Sequence, residues 1–168
     1  MVASTSIKWP KLVQEEYTYF DKDKVCMRAA EFNKIFAFSE PLIADYPPCF
    51  FAGDLSKADY CLLGINPGYK EDDNKIERRI YDEKGWEKTY LTFFEWFREL
   101  NIRSPYCSRF AVFLAGVVGN GFPQDRDTRY KLLAEHLVNV DLIPYHSVGI
   151  GLNINSAERQ ELVRPYIP

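Results

Sequence analysis

The segment Ala58-Asp59-Tyr60-Cys61-Leu62-Leu63-Gly64-Ile65, followed at once by Asn66-Pro67-Gly68, constrains the fold more than any other part of the sequence. A short continuous apolar run bounded by turn formers suits a strand buried on both faces, as in a parallel sheet. Pro67 and Gly68 read as the central pair of a type II turn, in which glycine supplies the positive φ. A tight turn is the simplest use of these three residues, and a binding loop is the other.

Around this run the sequence predicts alternating elements. Residues Lys11–Asp21 and Arg28–Phe38 read as helices, and Ser39–Gly53, with Pro41, Pro47 and Pro48, as an irregular connection. The charged stretch 70–88 is expected to be a solvated loop or helix face. Thr89–Leu100 carries one apolar helical face, widened by Phe93 and Trp96. Ser104-Pro105 reads as an N-cap and first helical residue, opening an apolar helix to about Val118 that is expected to be buried all round. Asp127 opens a further helix to about Leu137, and Val138–Ile143 is a second core strand stopped by Pro144. Asn155-x-x-Glu158 resembles a capping box for a last helix. Weaker strand candidates lie at Pro48–Ala52 and after Pro144. This order predicts an α/β domain with a mainly parallel central sheet over residues 58–168, and a helical or irregular N-terminal extension, 1–57, packed on it.

Composition removes several function classes. An aromatic fraction of 15% argues against disorder. With 21 basic and 24 acidic residues the net charge is −3, which argues against a generic polyanion binder while leaving room for a local basic patch. No apolar run is long enough to cross a bilayer, so no membrane partner is expected. The first residues lack the basic-then-apolar order of a secretory signal. The cysteines Cys26, Cys49, Cys61 and Cys107 form no C-x-x-C pair, and His136 and His146 lie far from any close cysteine pair. No metal or other cofactor is therefore expected, and the setting is expected to be reducing and intracellular, cytoplasmic or nuclear.

In open α/β sheets ligands bind beyond the carboxyl ends of the strands. Two such ends are readable: Gly64-Ile65-Asn66-Pro67-Gly68-Tyr69 and Pro144-Tyr145-His146-Ser147. Parallel strands would bring them to one edge. Gly64 permits close approach of a ligand or backbone. The Asn66 side chain offers one acceptor and two donor hydrogens, so it can orient a water but is a poor proton acceptor.

Leu62-Leu63-Gly64-Ile65-Asn66-Pro67-Gly68 resembles the first active-site motif of the uracil-DNA glycosylase-like superfamily, in its G-I-N-P-G form found in mismatch-specific thymine/uracil DNA glycosylases. The resemblance implies a three-layer α/β/α sandwich. It implies that Asn66 positions the water that attacks the sugar carbon, with Gly64, Ile65, Pro67, Gly68 and Tyr69 forming the pocket floor and wall. Asn139 corresponds to a residue that reads the edge of a flipped base. Under the same reading Tyr69 packs on the base and His146 stabilises the departing anion, with Tyr145 beside it. Pro144-Tyr145-His146 is also similar to part of the water-activating motif of classical uracil glycosylases, but on a different strand.

The family's second motif, H-P-S or N-P-S, does not follow Pro144, which stands 24 residues before Pro168. Either the domain is truncated at its C-terminus or it lacks the catalytic closing loop. Two functions remain open. One is a DNA glycosylase acting on a nucleobase in DNA. The other is a binding module on the same fold, taking a nucleobase, a nucleotide or a protein partner without chemistry. The missing motif and the acidic run Glu71-Asp72-Asp73 favour the second.

Overall fold

The computed structural model describes residues 7–35, 41–64, 67–119, 121, 123–147 and 164. Within them lie seven helices and three short strands. Helix α1, Lys11–Asp23, turns Glu16, Tyr17 and Phe20 inward at helical spacing and ends where Lys24 takes a left-handed φ of 56° and donates its N–H to the Phe20 carbonyl. Helix α2, Met27–Ile35, buries Ala29. Strand β1 is Phe51–Ala52 and β2 is Tyr60–Gly64.

Helix α3, Glu71–Lys84, has Glu71, Asp72 and Asp73 in its first turn and Lys84 in its last, the polarity that suits the helix dipole. Gly85, at a φ of 76°, separates it from α4, Trp86–Leu91. Helix α5, Phe93–Glu99, follows after Thr92. The sequence predicts one helix over Thr89–Leu100. The structure divides it at Thr92, whose φ of −102° and ψ of 22° depart from the helical values, while its hydroxyl and its N–H both donate to the Lys88 carbonyl.

Helix α6, Pro105–Val117, starts as expected, with Ser104 Oγ accepting from Cys107 N. It is not buried all round: Phe113 and Val117 are 68% and 47% exposed. Helix α7, Arg126–His136, is capped by Asp125, whose carboxylate accepts from Thr128 N, so it opens one residue before the expected Asp127. Strand β3, Leu137–Asp141, follows directly. The expected helix after Asn155 lies outside the described residues.

The strand order is β1-β3-β2. Strands β2 and β3 are parallel, with Tyr60 opposite Leu137 and Gly64 opposite Asp141; β1 joins β3 antiparallel, with Phe51 opposite Val140. Successive β3 side chains reach different apolar clusters. Val138 and Val140 pack with Tyr17, Phe20, Tyr81 and Tyr90 of α1, α3 and α4, while Leu137 packs with Phe97, Ala111, Leu114 and Leu133 of α5, α6 and α7.

This corrects the expected fold. The chain is mainly helical around a small mixed sheet, not a three-layer α/β/α sandwich with a mainly parallel sheet. Much of the buried apolar volume is aromatic and carried by helices (Tyr17, Tyr90, Trp96 and Tyr130 among them), so helix packing dominates the core and the strands stay short. Strand β2 is not central either. Among the described residues β3 is its sole partner, and Leu63 is 61% exposed. A continuous apolar run thus occupies an edge with one open face. None of the helices among the described residues is long and apolar enough to cross a membrane.

Candidate functional site

The parallel β2–β3 pair puts two carboxyl ends, Gly64 and Asp141, side by side, and Leu142 N donates to the Gly64 carbonyl at 3.2 Å. The segments beyond them also meet, as the sequence predicts. Tyr69 N donates to Ser147 O at 2.9 Å, and Ser147 N to Pro67 O at 3.3 Å. Gly68 sits in a parallel bridge with Ser147 and has no left-handed φ, so the expected type II turn at Pro67-Gly68 does not form. Bridging to Ser147 holds this backbone extended instead. Ile65 and Asn66 lie outside the described residues, bracketed by Gly64 and Pro67.

Asn139 and Asp141, two apart on β3, share one face of the strand. Asn139 Nδ2 donates to Asp141 Oδ2 at 2.9 Å, and Tyr106 Oη of α6 donates to Asn139 Oδ1 at 3.2 Å. Gly64 completes the group, because a Cβ there would overlap Asp141 Oδ1. Asp141 is 8% exposed. Burial pushes its carboxyl up to about 7, against the opposing pull of His146 and the Asn139 hydrogen bond. Near neutral pH this group exchanges between acid and carboxylate. Asn139 keeps one amide hydrogen and one lone pair beyond the bonds just named. Tyr106 is half exposed, so the row reaches the surface.

Behind Gly68 lies a second, buried polar group. His146 is 3% exposed, and its Nδ1 lies 3.0 Å from the Gly68 carbonyl. That oxygen can only accept, so Nδ1 carries a proton. Asn74 Nδ2, 3.3 Å from the same nitrogen, is itself a donor and is therefore only in contact with it. Nε2 faces Glu77 Oε1 at 3.6 Å, an ion-pair separation longer than a hydrogen bond. Burial opposes charge on His146, but Glu77, the Gly68 carbonyl and Asp141 outweigh it and raise its pKa. Glu77 is further held by Tyr90 Oη at 3.0 Å and Asn74 Nδ2 at 3.2 Å.

The remaining sequence candidates divide. Tyr69 is half-buried with its ring edge-on to Tyr46. Tyr145 is fully buried, and its hydroxyl donates to Glu16 Oε2, which faces the core rather than a ligand. Asp141, Glu77 and Asn74 were not singled out by the sequence. The signal for the last two was present: Asn74, Glu77, Ile80 and Tyr81 recur at helical spacing and are all buried, so stretch 70–88 is not simply a solvated face. The signal for Asp141 is a carboxylate two residues after Asn139 in an apolar strand. No group of histidine, cysteine, aspartate or glutamate side chains among the described residues is arranged to hold a metal ion. Comparison with family models, with curated proteins and with solved structures returns no match to the chain.

Proposed function

We propose that the chain recognises a nucleobase of a DNA strand at the carboxyl end of the β2–β3 pair, the site at which the G-I-N-P-G resemblance implies hydrolysis of the N-glycosidic bond. The observation that carries this reading is the Tyr106–Asn139–Asp141 row lying beside Gly64, at the entrance to that motif. An amide flanked by a hydroxyl and a carboxyl suits the alternating donors and acceptors of a pyrimidine edge. For the hydrolysis that the resemblance implies, Asn66 orients a water. Its oxygen bonds to the sugar carbon, the carbon–nitrogen bond breaks with its electron pair leaving on the base, and a water proton passes to the Asp141 carboxylate. Asp141 supplies the proton acceptor that an asparagine cannot be.

One observation favours binding without hydrolysis. His146, to which the resemblance gives the departing base, is buried and paired with Glu77. Release of free uracil or thymine from single-stranded and mismatched duplex DNA separates the two. Hydrolysis predicts release that Asn66→Ala abolishes and that rises with pH through about 7 as Asp141 ionises. Binding of a base-bearing strand with no release establishes the binding module, and neither binding nor release overturns both.

A further inference from the structure

A hollow of about 380 Å³ opens beside the start of α6, lined by Arg103, Arg126 and Arg129 together with Ser104, Ser108 and Tyr130. Among the described residues no carboxylate lines it. Arg28, Arg78 and Arg98 each pair with an acidic side chain, but none of the three arginines of the hollow does so among the described residues. Two of these guanidiniums are fixed by backbone carbonyls instead. Arg126 donates to Phe97 O, Ile102 O and Arg98 O, and lies 5.5 Å over the Tyr130 ring. Arg129 donates to Pro123 O and Gln124 O. Carbonyl bonds orient a guanidinium without neutralising it, and each head retains unused N–H donors. On a chain of net charge −3, two oriented guanidiniums and Arg103, none paired with a carboxylate among the described residues, form a local basic site around one hollow.

We infer that this hollow binds a phosphate group of the DNA strand whose base reaches Asn139. The inference rests on the nucleobase reading for the identity of the strand. The placement supports it: Pro105 lines the hollow, and the next residue, Tyr106, reaches Asn139 with its hydroxyl. A backbone phosphate in the hollow and a base at the β3 row would then lie on either side of one short stretch of α6.

The test uses the full chain and two labelled single strands, one carrying uracil and one carrying an abasic analogue at the same position. Affinity is measured by fluorescence anisotropy from low to moderate salt, with inorganic phosphate tested alone as a separate probe. The variants are Arg103→Ala, Arg103→Ala with Arg129→Gln, and Lys34→Ala as a control outside the hollow that matches the charge of Arg103→Ala, each checked by circular dichroism. The expected result is a weakening of about tenfold for the double variant on both strands. Its salt slope should be shallower by about one, the signature of lost phosphate contacts. Arg103→Ala alone should fall between the wild type and the double variant, and Lys34→Ala should match the wild type. Equal affinity of the double variant and the wild type overturns the phosphate site, even where the uracil strand binds better than the abasic one. Weakening by the double variant with no preference for uracil supports the phosphate site and overturns the nucleobase reading instead. Inorganic phosphate binding as tightly as either strand reduces the site to a small-anion site and overturns the strand assignment.

Discussion

Asp141 occupies the space that a side chain at position 64 would need: a Cβ on Gly64 would overlap Asp141 Oδ1 and come within 3.6 Å of Asn139 Nδ2. Glycine at this position is thus required by a neighbouring carboxyl as well as by any ligand. Gly64→Ala is expected to destabilise the chain by about 1–3 kcal/mol, the usual cost of overpacking. The same change made together with Asp141→Gly should cost much less, and urea denaturation of the four proteins measures the coupling. Equal costs in both backgrounds would show that the two residues do not meet.

Asp141 also makes a pH prediction. Its folded pKa of about 7 lies above its ordinary value of 3.8, so the folded state holds the proton more tightly. The stability this confers is fully present below about pH 4 and is lost as pH rises through about 7. Between pH 5 and pH 8 Asp141 alone is expected to remove about 2–3 kcal/mol. His146, whose pKa is also raised, acts in the same direction. Asp141→Asn should flatten the Asp141 part of the profile and leave the remainder. A wild type as stable at pH 8 as at pH 5 would contradict the assignment.

The buried ion pair behind Gly68 is expected to need both partners. Glu77→Gln preserves shape but leaves His146 without its counter-charge, and removing one member of such a pair costs about 3–5 kcal/mol. With Glu77 neutral, only the Gly68 carbonyl and Asp141 oppose the effect of burial, so the His146 pKa should fall from its wild-type position. The chain has two histidines, which makes the imidazole signals separable by NMR. An unchanged His146 titration in Glu77→Gln would mean that the pair does not form.

The edge position of β2 can be read through its cysteine. Cys61 is exposed, whereas Cys26, Cys49 and Cys107 are buried. Burial raises the pKa of all three buried thiols, making them poor nucleophiles. In the native protein one thiol should react rapidly with an aromatic disulfide reagent, and Cys61→Ser should remove that phase. Loss of no fast phase in Cys61→Ser would place β2 in the interior after all.

The sequence and the structure agree where the determinants are local. Ser104-Pro105 starts a helix because the cap and the proline act within one turn; β2 falls within its expected stretch for the same reason, and β3 begins one residue early, at Leu137. Disagreement begins where the determinant is a distant partner. Nothing local in Leu62-Leu63 says that β2 is an edge strand or that Leu63 stays exposed, because both depend on which distant elements pair beside the strand and pack over it. The antiparallel pairing of β1 comes from a residue pair, Phe51 and Val140, far apart in sequence. The candidate site follows the same division. The convergence of Pro67–Tyr69 with Pro144–Ser147 was legible from strand ends, but the roles of Asp141 and Glu77 were not. Their character comes from burial and from neighbours on other elements.

That Asn139 and its neighbours read a nucleobase is checked by comparing a uracil-bearing single strand with the same strand carrying an abasic analogue, in an Asn66→Ala background so that the base stays attached. The uracil strand is expected to bind about tenfold more tightly, and Asn139→Ala to lose that preference with the fold intact by circular dichroism. Equal binding of the two strands, or a preference that survives Asn139→Ala, would contradict it.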